Sequence, residues 1–458
     1  MLSLTPPRRD HGEPPPRVAI VGSGIAGLAA AWALKDHARL SLFEAGTHFG
    51  GHVHTVDAMV DGISYPVDTG FLVLNERTYP GLLGLFAELG VELAKSDMSF
   101  SVQRPLDAGR RLEWSGSSLD TVFAQRSNLL RPRFWGMLRD ILRFNREATA
   151  LALAGLDGEQ RSVGEFLRQG GYGEAFAQDY LLPMLACIWS CPARRMLEFP
   201  LASMVRFCHN HGLLQVEDRP QWYTVRGGAR RYVQRIVERL PDARLNCPVR
   251  MVKRHDVGVE VATDGGTEWF DHVVLACHSD QALALLADAD DTEREVLGAV
   301  RYQSNRALLH TDAALLPRRR RAWAAWNFES AAAPDVPGLP ADGGSAPVCL
   351  HYLINRLQPV PFTRPLLVSL NPLREPDPAQ VLQEMHYAHP VFDAPAIAAQ
   401  ARVPQLQGRR RSYFCGAWCG HGFHEDGLRA GRAAAQAWLE QRRAHAQGRL
   451  GDRVEVAA

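Results

Sequence analysis

The chain has 458 residues, of which 46% are hydrophobic and 22% are charged, and its formal net charge is +1. This length accommodates two or three domain-sized units around a large core. The near-balance of charge gives no electrostatic case for nucleic acid as the main partner.

The eight cysteines are scattered along the chain. The pairs Cys187/Cys191 and Cys415/Cys419 each have three residues between their members, and a metal site favours closer pairs with companion ligands. We therefore predict no metal site and interpret the cysteines as thiols in a reducing cytoplasm.

The N-terminal region shows no export signal. Arg8-Arg9 is followed by His11 and prolines rather than by an apolar run, which argues against a twin-arginine leader. No apolar run reaches the roughly 18 residues that a membrane span needs. We expect a cytoplasmic protein, with peripheral contact at the inner membrane surface as an alternative.

After a proline-rich tail over residues 1–16, the stretch from Arg17 to Leu34 reads RVAIVGSGIAGLAAAWAL. An apolar run of strand type leads into a glycine turn that opens onto a helix rich in alanine and leucine. The pattern predicts a dinucleotide-binding βα turn, with the helix N-terminus facing a pyrophosphate. Its loop residues are Gly22, Ser23, Gly24, Ile25, Ala26 and Gly27.

A second predicted strand, residues 40–43, ends in Glu44. An acid roughly 20 residues after the glycine motif can hold ribose hydroxyls, and this context favours a nucleotide site over an ordinary glycine-rich turn. Gly50-Gly51 follows, then a predicted hairpin at Asp61-Gly62. At the glycine pair, the backbone can run flat against a flat ligand.

Residues 78–215 show apolar side chains at helical spacing. The segment from Phe134 to Asn145 combines apolar residues with several arginines. It fits a cationic amphipathic helix at a lipid surface, or a domain helix with a solvated arginine face. The Arg318–Arg321 run leaves the same two alternatives open.

Strand patterns return after Gln221. A helix follows Gly227-Gly228, and strands are predicted over residues 248–253, 257–263 and 270–276. Residues 286–404 are mixed and include a Pro/Gly/Ala-rich loop at 331–347. A last short strand at 413–416 precedes a helix over residues 428–442, and a frayed end is predicted from residue 444.

These blocks resemble the flavin amine oxidase and phytoene desaturase superfamily. The resemblance rests on GSGIAG, Glu44 with Gly50-Gly51, Gly227-Gly228, the strand at Val249, and FCGAWCGHGFHEDGLRAGRAAA near the C-terminus. YLLPMLACIWSCP, HYLINRLQ and VSLNP resemble a bacterial branch of predicted FAD-binding oxidoreductases associated with cyclopropane-fatty-acid-synthase-like methyltransferases. Members of that branch are implicated in desaturating modified membrane acyl chains.

The resemblance implies FAD and assigns its contacts. The glycine loop would meet the pyrophosphate, Glu44-Ala45 the ribose, and Val249 the adenine. Residues near the flavin would be Gly50, Gly51, His52, Gly70, Phe71, Gly416, Glu425, Asp426 and Gly427. From the residues alone, Glu425 and Asp426 are also helix-capping candidates.

The chain departs from the family pattern in two places. His48 occupies a position before Gly50-Gly51 that is usually arginine, and no lysine follows Lys253, where amine oxidases of the superfamily use a lysine beside the flavin. The missing lysine favours desaturation, in which the flavin takes a hydride and a base, if any, removes a proton.

The candidates for catalysis are His424, Tyr352 and Glu425, and the candidates for substrate contact are Trp189, His211, Trp326 and Asn355. Each has a structural alternative: Tyr352 and the tryptophans fit an ordinary core, and His211 fits a turn cap. A histidine at position 424 more often orients than transfers a proton.

We therefore expect an α/β fold with a Rossmann-like, glutathione-reductase-type FAD domain and an inserted helix-rich α+β substrate domain. The FAD domain would comprise residues 17–80, 220–285 and 405–443, and the substrate domain residues 81–219 and 286–404. The expected function is removal of two hydrogens from an apolar, lipid or fatty-acyl substrate. The alternatives are a flavin amine oxidase and a non-catalytic FAD-binding partner of a lipid methyltransferase.

Overall fold

A computed structural model describes residues 14–106, 110–330 and 348–455 of the chain. Most of the predicted N-terminal tail, the predicted loop at 331–347 and residues 456–458 lie outside the described residues. Among the described helices, none combines the length and the apolar character that crossing a bilayer requires.

The strands, in chain order, are β1 (Arg17–Val21), β2 (Arg39–Phe43), β3 (Thr55–Val60), β4 (Ile63–Asp68), β5 (Leu74–Asn75), β6 (Leu93–Ser96), β7 (Phe100–Pro105), β8 (Arg111–Ser115), β9 (Trp222–Val225), β10 (Ala243–Arg244), β11 (Val249–Arg254), β12 (Val259–Thr263), β13 (Gly266–Phe270), β14 (His272–Leu275), β15 (Arg301–His310), β16 (Trp326–Glu329), β17 (Cys349–Leu353), β18 (Leu367–Leu370), β19 (Val381–Val391) and β20 (Ser412–Phe414).

The α-helices are α1 (Ile25–Leu34), α2 (Pro80–Leu89), α3 (Leu119–Val122), α4 (Pro132–Ala154), α5 (Val163–Gln169), α6 (Glu174–Phe176), α7 (Leu182–Trp189), α8 (Leu201–Asn210), α9 (Arg230–Val237), α10 (Ser279–Leu285), α11 (Asp291–Gly298), α12 (Ile354–Leu357), α13 (Ala394–Gln400) and α14 (His424–Glu455). A π-helical turn (Ala177–Leu181) precedes α7. Short 3-10 turns include Arg126–Leu130, Ala193–Leu197, Ala313–Leu315, Arg320–Ala322, Pro378–Gln380, Val403–Leu406, Arg409–Arg411 and Ala417–Cys419.

A five-stranded sheet carries the glycine turn, with strand order β10-β2-β1-β14-β20 and parallel pairing throughout. Its strands come from three stretches that are far apart in sequence. β1 is buried along almost its whole length, as expected for a parallel strand covered on both faces. The predicted α/β class is confirmed, and the domain boundaries stay a prediction.

Close packing of α1 against its neighbours depends on two glycines. A Cβ on Gly27 would lie 1.9 Å from the carbonyl oxygen of Gly22, and one on Gly431 would lie 2.1 Å from that of Ala26. Neither position accepts a side chain. The first contact seats α1 on its own loop, and the second seats α14 against α1.

A seven-stranded sheet, with order β19-β15-β18-β17-β16-β7-β8, forms a second layer. Side chains alternate between its faces. In β17, Leu350 belongs to the main apolar core. His351 faces the other side of the sheet, where its Nδ1 is hydrogen-bonded with the hydroxyl of the buried Ser369. Helices α4 to α8 pack together in a further apolar cluster beside this sheet.

The structure corrects the prediction of an all-helical segment over residues 78–215, because β6, β7 and β8 lie within it. The middle of β7 is buried on both faces. Its sequence, FSVQRP, does begin with apolar and polar alternation, but the alternating run is only four residues long and stands between stretches of helical spacing.

Two other boundaries differ from the predictions. The strand predicted over 270–276 is divided at Asp271, because β13 pairs with β12 while β14 pairs with β1. The last helix begins at His424 and continues to Glu455, past the predicted fraying point, through residues such as alanine, glutamine and arginine that favour helix.

Candidate functional site

The glycine loop between β1 and α1 forms one wall of a large cavity. Gly22 has a φ of +101°, and its N–H donates to the carbonyl of Phe43 over 2.8 Å. A Cβ on Gly24 would meet no atom within 4 Å, whereas one on Gly51 would lie 3.2 Å from the Gly24 Cα. The Gly51 backbone thus packs closely against Gly24, and on its Cβ side Gly24 borders open space; we call the two glycine loops with this space the cradle.

Glu44 fixes this cradle while lining the cavity. Its Oε2 accepts hydrogen bonds from the Ser23 N–H, at 3.0 Å, and from the Ser23 hydroxyl, and its Oε1 accepts one from the Gly46 N–H at 2.8 Å. The Ser23 hydroxyl in turn accepts from the Gly50 N–H at 3.0 Å. The carboxylate therefore ties both glycine loops together.

The cavity has a volume of about 510 Å³. It continues from the cradle between the seven-stranded sheet and the helices. Its apolar lining includes Met98, Phe100, Trp114, Met184, Ile188, Trp189, Phe207, Leu213, Trp222, Trp326, Val368 and Leu370. Among the described residues that line it, Glu44 is the one carboxylate and Arg219 the one arginine or lysine.

Five aromatic rings gather beside the cradle: His52, His278, Tyr302, Tyr387 and His389. His52 lies 5.3 Å from Tyr387 and 5.4 Å from His389, between ring centroids. Burial lowers the pKa of His52 to about 3 and that of His389 to about 4. These imidazoles are therefore neutral near pH 7.

The buried Nε2 atom of His52 has no hydrogen-bond partner within the described residues. A buried polar atom without a partner carries a free-energy cost, so a polar ligand group beside it is favoured.

A hydroxyl and imidazole network runs from the cavity wall. The Tyr387 hydroxyl lies 2.8 Å from Thr69 Oγ1 and 3.1 Å from His54 Nδ1, and these last two atoms are 3.0 Å apart. The His54 ring lies against that of His48 in a tilted arrangement, with 4.5 Å between centroids. Burial lowers the pKa of His54 to about 4. The network connects the cavity to the loop that carries His48.

His424 lines the cavity at the start of α14. Its ring stacks on Phe71, with centroids 3.8 Å apart, and its Nε2 lies 2.7 Å from the Tyr232 hydroxyl. Burial lowers the pKa of His424 to about 3. The ring is held in one orientation and is neutral, which suits positioning better than proton uptake.

Tyr352 and the predicted substrate-contact residues mostly line the same cavity. Tyr352 meets Trp326 edge to face at 5.0 Å, and His211 stacks on Phe207 at 3.9 Å. The indole nitrogens of Trp189 and Trp326 are buried without a hydrogen-bond partner among the described residues. Burial raises the pKa of Tyr352, so its hydroxyl stays protonated.

Glu425, a predicted catalytic residue, is placed elsewhere. Its Oε1 and Oε2 accept from the backbone N–H groups of Gly81 and Leu82, both at 2.9 Å, at the N-terminus of α2. Asp426 accepts from the Phe423 N–H at 3.0 Å and so caps its own helix. The structure corrects the catalytic assignment of Glu425, because both its oxygens serve as a helix cap.

Asn355 also lies outside the cavity lining. Its amide donates to the carbonyls of Phe362 and Arg364 and accepts from the Leu366 N–H, so it braces a loop. The structure gives no support to the substrate contact expected of Asn355, which stays a prediction.

The cavity collects most of the predicted cofactor residues. Those that line it are Gly22, Ser23, Gly24, Ile25, Ala26, Glu44, Gly50, Gly51, His52, Gly70, Phe71 and Gly416. Those that do not are Gly27, Ala45, Val249, Glu425, Asp426 and Gly427. Gly27 and Gly427 instead permit close packing, since a Cβ on Gly427 would lie 2.7 Å from an Ile25 methyl carbon.

Sequence reasoning missed the cavity residues on β19 and β15 and at the start of α10. Tyr387 and His389 are two residues apart in an extended strand, so they share one face. Aromatic residues at every second position, Tyr387 and His389, are the sequence signal that could have predicted this part of the cavity wall. Arg219 gave no signal, because it stands in a loop among other charged residues.

The family model described as "Flavin containing amine oxidoreductase" matches residues 25–311 of this chain. AofH of Mycobacterium tuberculosis H37Rv, by name a flavin-containing monoamine oxidase, is 27% identical over 274 residues, covering 57% of this chain and 56% of AofH. The carotenoid phi-ring synthase of Streptomyces griseus is 27% identical over 358 residues, covering 73% of this chain and 64% of that protein. The chain thus spans less than two thirds of the length of these curated relatives.

Two solved structures share the fold. Cyclohexylamine oxidase from Brevibacterium oxydans aligns with a TM-score of 0.65 at 18% identity, covering 93% of this chain and 99% of that one. The CLA-producing fatty acid isomerase from P. acnes aligns with a TM-score of 0.62 at 16% identity, covering 92% and 98% respectively.

Proposed function

This chain belongs to the family of flavin-containing amine oxidoreductases, and we propose that it removes two hydrogens from a lipid or fatty-acyl substrate. Membership follows from the family model, which matches more than half of the chain. We infer from this membership that the chain acts as an FAD-dependent oxidoreductase. The substrate class is the proposal, and its support lies in the charge distribution of the cavity.

The cradle fits FAD. The open space at Gly24, the facing Gly51 backbone and the N-terminus of α1 suit a pyrophosphate, and Glu44 lines the same wall. The unpartnered Nε2 of His52 suits a polar group of the cofactor. When bound, FAD supplies the acceptor for a hydride from the substrate.

One observation carries the proposal: beyond the cradle, the cavity has an apolar wall and no described carboxylate besides Glu44. A cationic amine would meet no opposite charge there, whereas an acyl chain would bury its methylene groups against Met184, Ile188 and Trp326. Each buried methylene contributes about 0.8 kcal/mol. The wall therefore favours a long apolar substrate.

Arg219 lines the same cavity and is exposed. Its positive charge opposes the burial that raises the pKa of Tyr180 to about 12. Arg219 therefore acts electrostatically on the lining around Tyr180, and it would pair with the anionic head of a lipid or fatty acid.

The substrate loses a proton together with the hydride. His424 and Tyr352 orient the reacting segment, since His424 is neutral and fixed by Phe71 and Tyr232. The proton passes by relay through the Tyr387 hydroxyl, Thr69 and the half-buried His54 to solvent, and His54 hands it on without holding it because burial lowers its pKa to about 4. Thr69 Oγ1 and His54 Nδ1 both lie within 3.1 Å of the Tyr387 hydroxyl oxygen.

Amine oxidation is the second candidate, supported by the likeness to AofH. It is disfavoured by the lack of any lysine after Lys253 and by the shortage of carboxylates in the cavity. A third alternative is a non-catalytic FAD-binding partner of a lipid methyltransferase, suggested by the resemblance to the bacterial branch. The open apolar cavity argues for turnover instead.

The test is anaerobic mixing of the flavin-loaded protein with bacterial phospholipids carrying plain or methylated acyl chains, and separately with a panel of amines. Flavin absorbance at about 450 nm reports reduction. We expect bleaching with lipid and none with amines. Bleaching by an amine alone would establish the second candidate, and no bleaching by either would leave the partner role.

A further inference from the structure

An exposed apolar and cationic segment begins at the mouth of the cavity. Gly116, Ser117 and Arg219 line the cavity and are exposed, so the cavity opens to solvent beside them. Ser117 is followed at once by Ser118, which caps α3. We call residues 116–146 the lip segment.

Large apolar side chains of the lip segment point into solvent. Leu119 is 79% exposed and Leu130 is 87% exposed. Leu129, Trp135 and Leu142 are also exposed. The described part of the chain has thirteen such large exposed apolar residues, and these five fall within 24 consecutive positions, from 119 to 142.

The lip segment is a single structural unit. The Trp135 indole N–H donates to the Leu129 carbonyl over 2.9 Å, and its ring lies 5.3 Å from that of Phe123. On the preceding position of α4, Phe134 packs edge to face on the cavity residue Trp114 at 6.1 Å. The exposed face of α4 is thus one layer removed from the cavity wall.

The same segment is strongly basic. Residues 118–146 hold six arginines and two aspartates, against a net charge of +1 for the whole chain. Along α4, Trp135, Arg139, Leu142 and Arg146 follow i, i+4, i+7 and i+11 spacing and are exposed. Apolar and cationic side chains therefore share one helix face.

The Arg318–Arg321 run offers less free positive charge to a lipid surface than its sequence suggests. Arg319 pairs with the buried Glu113 at 2.8 Å, and the Arg318 N–H donates to the same carboxylate at 2.9 Å. Arg321 lies 3.7 Å from Asp120 of α3. Arg319 and Arg321 thus fasten β8 and α3.

In the lip segment, Arg126, Arg133 and Arg143 likewise pair with carboxylates. The positive charge open to a bilayer is carried by Arg131 and Arg146, which have no carboxylate partner among the described residues, and by the exposed Arg139, which lies 3.7 Å from Asp140.

We propose that the lip segment docks the protein on an anionic lipid bilayer, with Leu119, Leu130 and Trp135 inserted among the headgroups. Apolar side chains interleaved with arginines on one face are the composition of interfacial membrane binding. The position at the cavity mouth lets a lipid chain pass from the bilayer into the cavity, a consequence that rests on the proposed function.

The experiment is co-sedimentation of the FAD-loaded protein with vesicles of phosphatidylcholine alone and of phosphatidylcholine mixed equally with phosphatidylglycerol. We expect binding to the mixed vesicles that weakens as NaCl rises from 0.05 to 0.5 M, because screening shortens the Debye length. Equal binding to both vesicle types, or none to either, would overturn the proposal.

Variants locate the surface. Leu119→Ser with Leu130→Ser should lower the partition coefficient by about tenfold, and Arg139→Gln by about fivefold on the anionic vesicles alone. The matched control is Met59→Ser with Ile63→Ser, on the β3–β4 hairpin, where both side chains are likewise exposed. The control should bind as the unaltered protein does.

Other outcomes are also decisive. Equal losses in the control and lip variants would overturn the location. If the lip variants change the elution volume in gel filtration and leave vesicle binding intact, the surface contacts protein and the membrane proposal is wrong. Vesicle binding without flavin bleaching by any lipid would contradict the proposed function and leave the docking surface standing.

Discussion

The Nε2 atom of His424 lies 2.7 Å from the hydroxyl of Tyr232, and the face of the same ring stacks on Phe71. Tyr232 belongs to α9 and His424 to α14, so two helices from distant parts of the chain hold this imidazole. The two contacts fix the ring, and burial keeps it neutral by lowering its pKa to about 3.

His424→Gln should lower kcat with a lipid substrate by about tenfold, because it removes a positioned ring from the cavity wall. Loss of a general acid or base would instead lower kcat by about 100-fold or more. The pH profile between 5 and 8 should keep its shape, since the pKa of His424 lies at about 3. Tyr232→Phe is the companion variant and should move kcat in the same direction by less. A lost inflection near pH 6 in His424→Gln would contradict the positioning role.

Glu425→Ala should destabilise the protein by about 1–2 kcal/mol, because two amides at the N-terminus of α2 lose their acceptor. Urea unfolding of the flavin-loaded protein measures this change. Glu425→Gln, which retains one acceptor oxygen, should lose about half as much. Turnover per folded molecule should be unchanged, and a large fall in kcat at full stability would restore the catalytic assignment.

The Gly24→Ala variant should fold normally. It should bind FAD more weakly, by about tenfold or more, because the new methyl group enters the open cradle. Gly84→Ala is the matched control: its added Cβ also meets no atom within 4 Å, but it lies on α2, outside the cavity lining. That variant should keep the FAD affinity and gain up to about 1 kcal/mol of stability. Flavin fluorescence titration distinguishes the two.

Stability should fall as pH falls from 6.5 towards 4. Burial lowers the pKa of His52 to about 3 and those of His54, His211 and His389 to about 4. Below the ordinary value of 6.5, the unfolded chain therefore binds more protons than the folded one, so protonation favours unfolding. Each buried histidine adds about 1.4 kcal/mol of slope per pH unit. Thermal unfolding between pH 4 and 8 tests this, and a Tm that is flat across the range would contradict it.

Arg219→Ala should raise KM for a fatty acid by about tenfold and leave KM for its methyl ester unchanged, because only the acid carries a negative head. The control is Arg226→Ala, which removes another arginine whose partner, Glu92, lies 3.7 Å away outside the cavity lining. Equal changes in KM for the acid and the ester would show that the anionic head of the substrate does not bind at Arg219.

The glycine turn, Glu44, the β3–β4 hairpin and the last helix could be predicted from the sequence because each depends on local chemistry. Strand β7 is harder to predict, because its apolar and polar alternation covers only the four residues FSVQ and its pairing with β16 joins distant segments. Glu425 shows the limit at the site: its position in the motif fitted catalysis, but its partners, Gly81 and Leu82, lie on a helix far away in sequence.

The close approach of Gly431 to Ala26 has a consequence for biosynthesis. On the ribosome, β1 and the glycine turn emerge long before β20 and α14, which complete their surroundings. Until those later elements are made, the nascent chain carries an apolar strand and an unfinished cofactor site, and exposed strand edges invite aggregation. FAD is therefore expected to load only after β20 and α14 have been made, and chaperones that shield the early strands should raise the yield of FAD-bound protein.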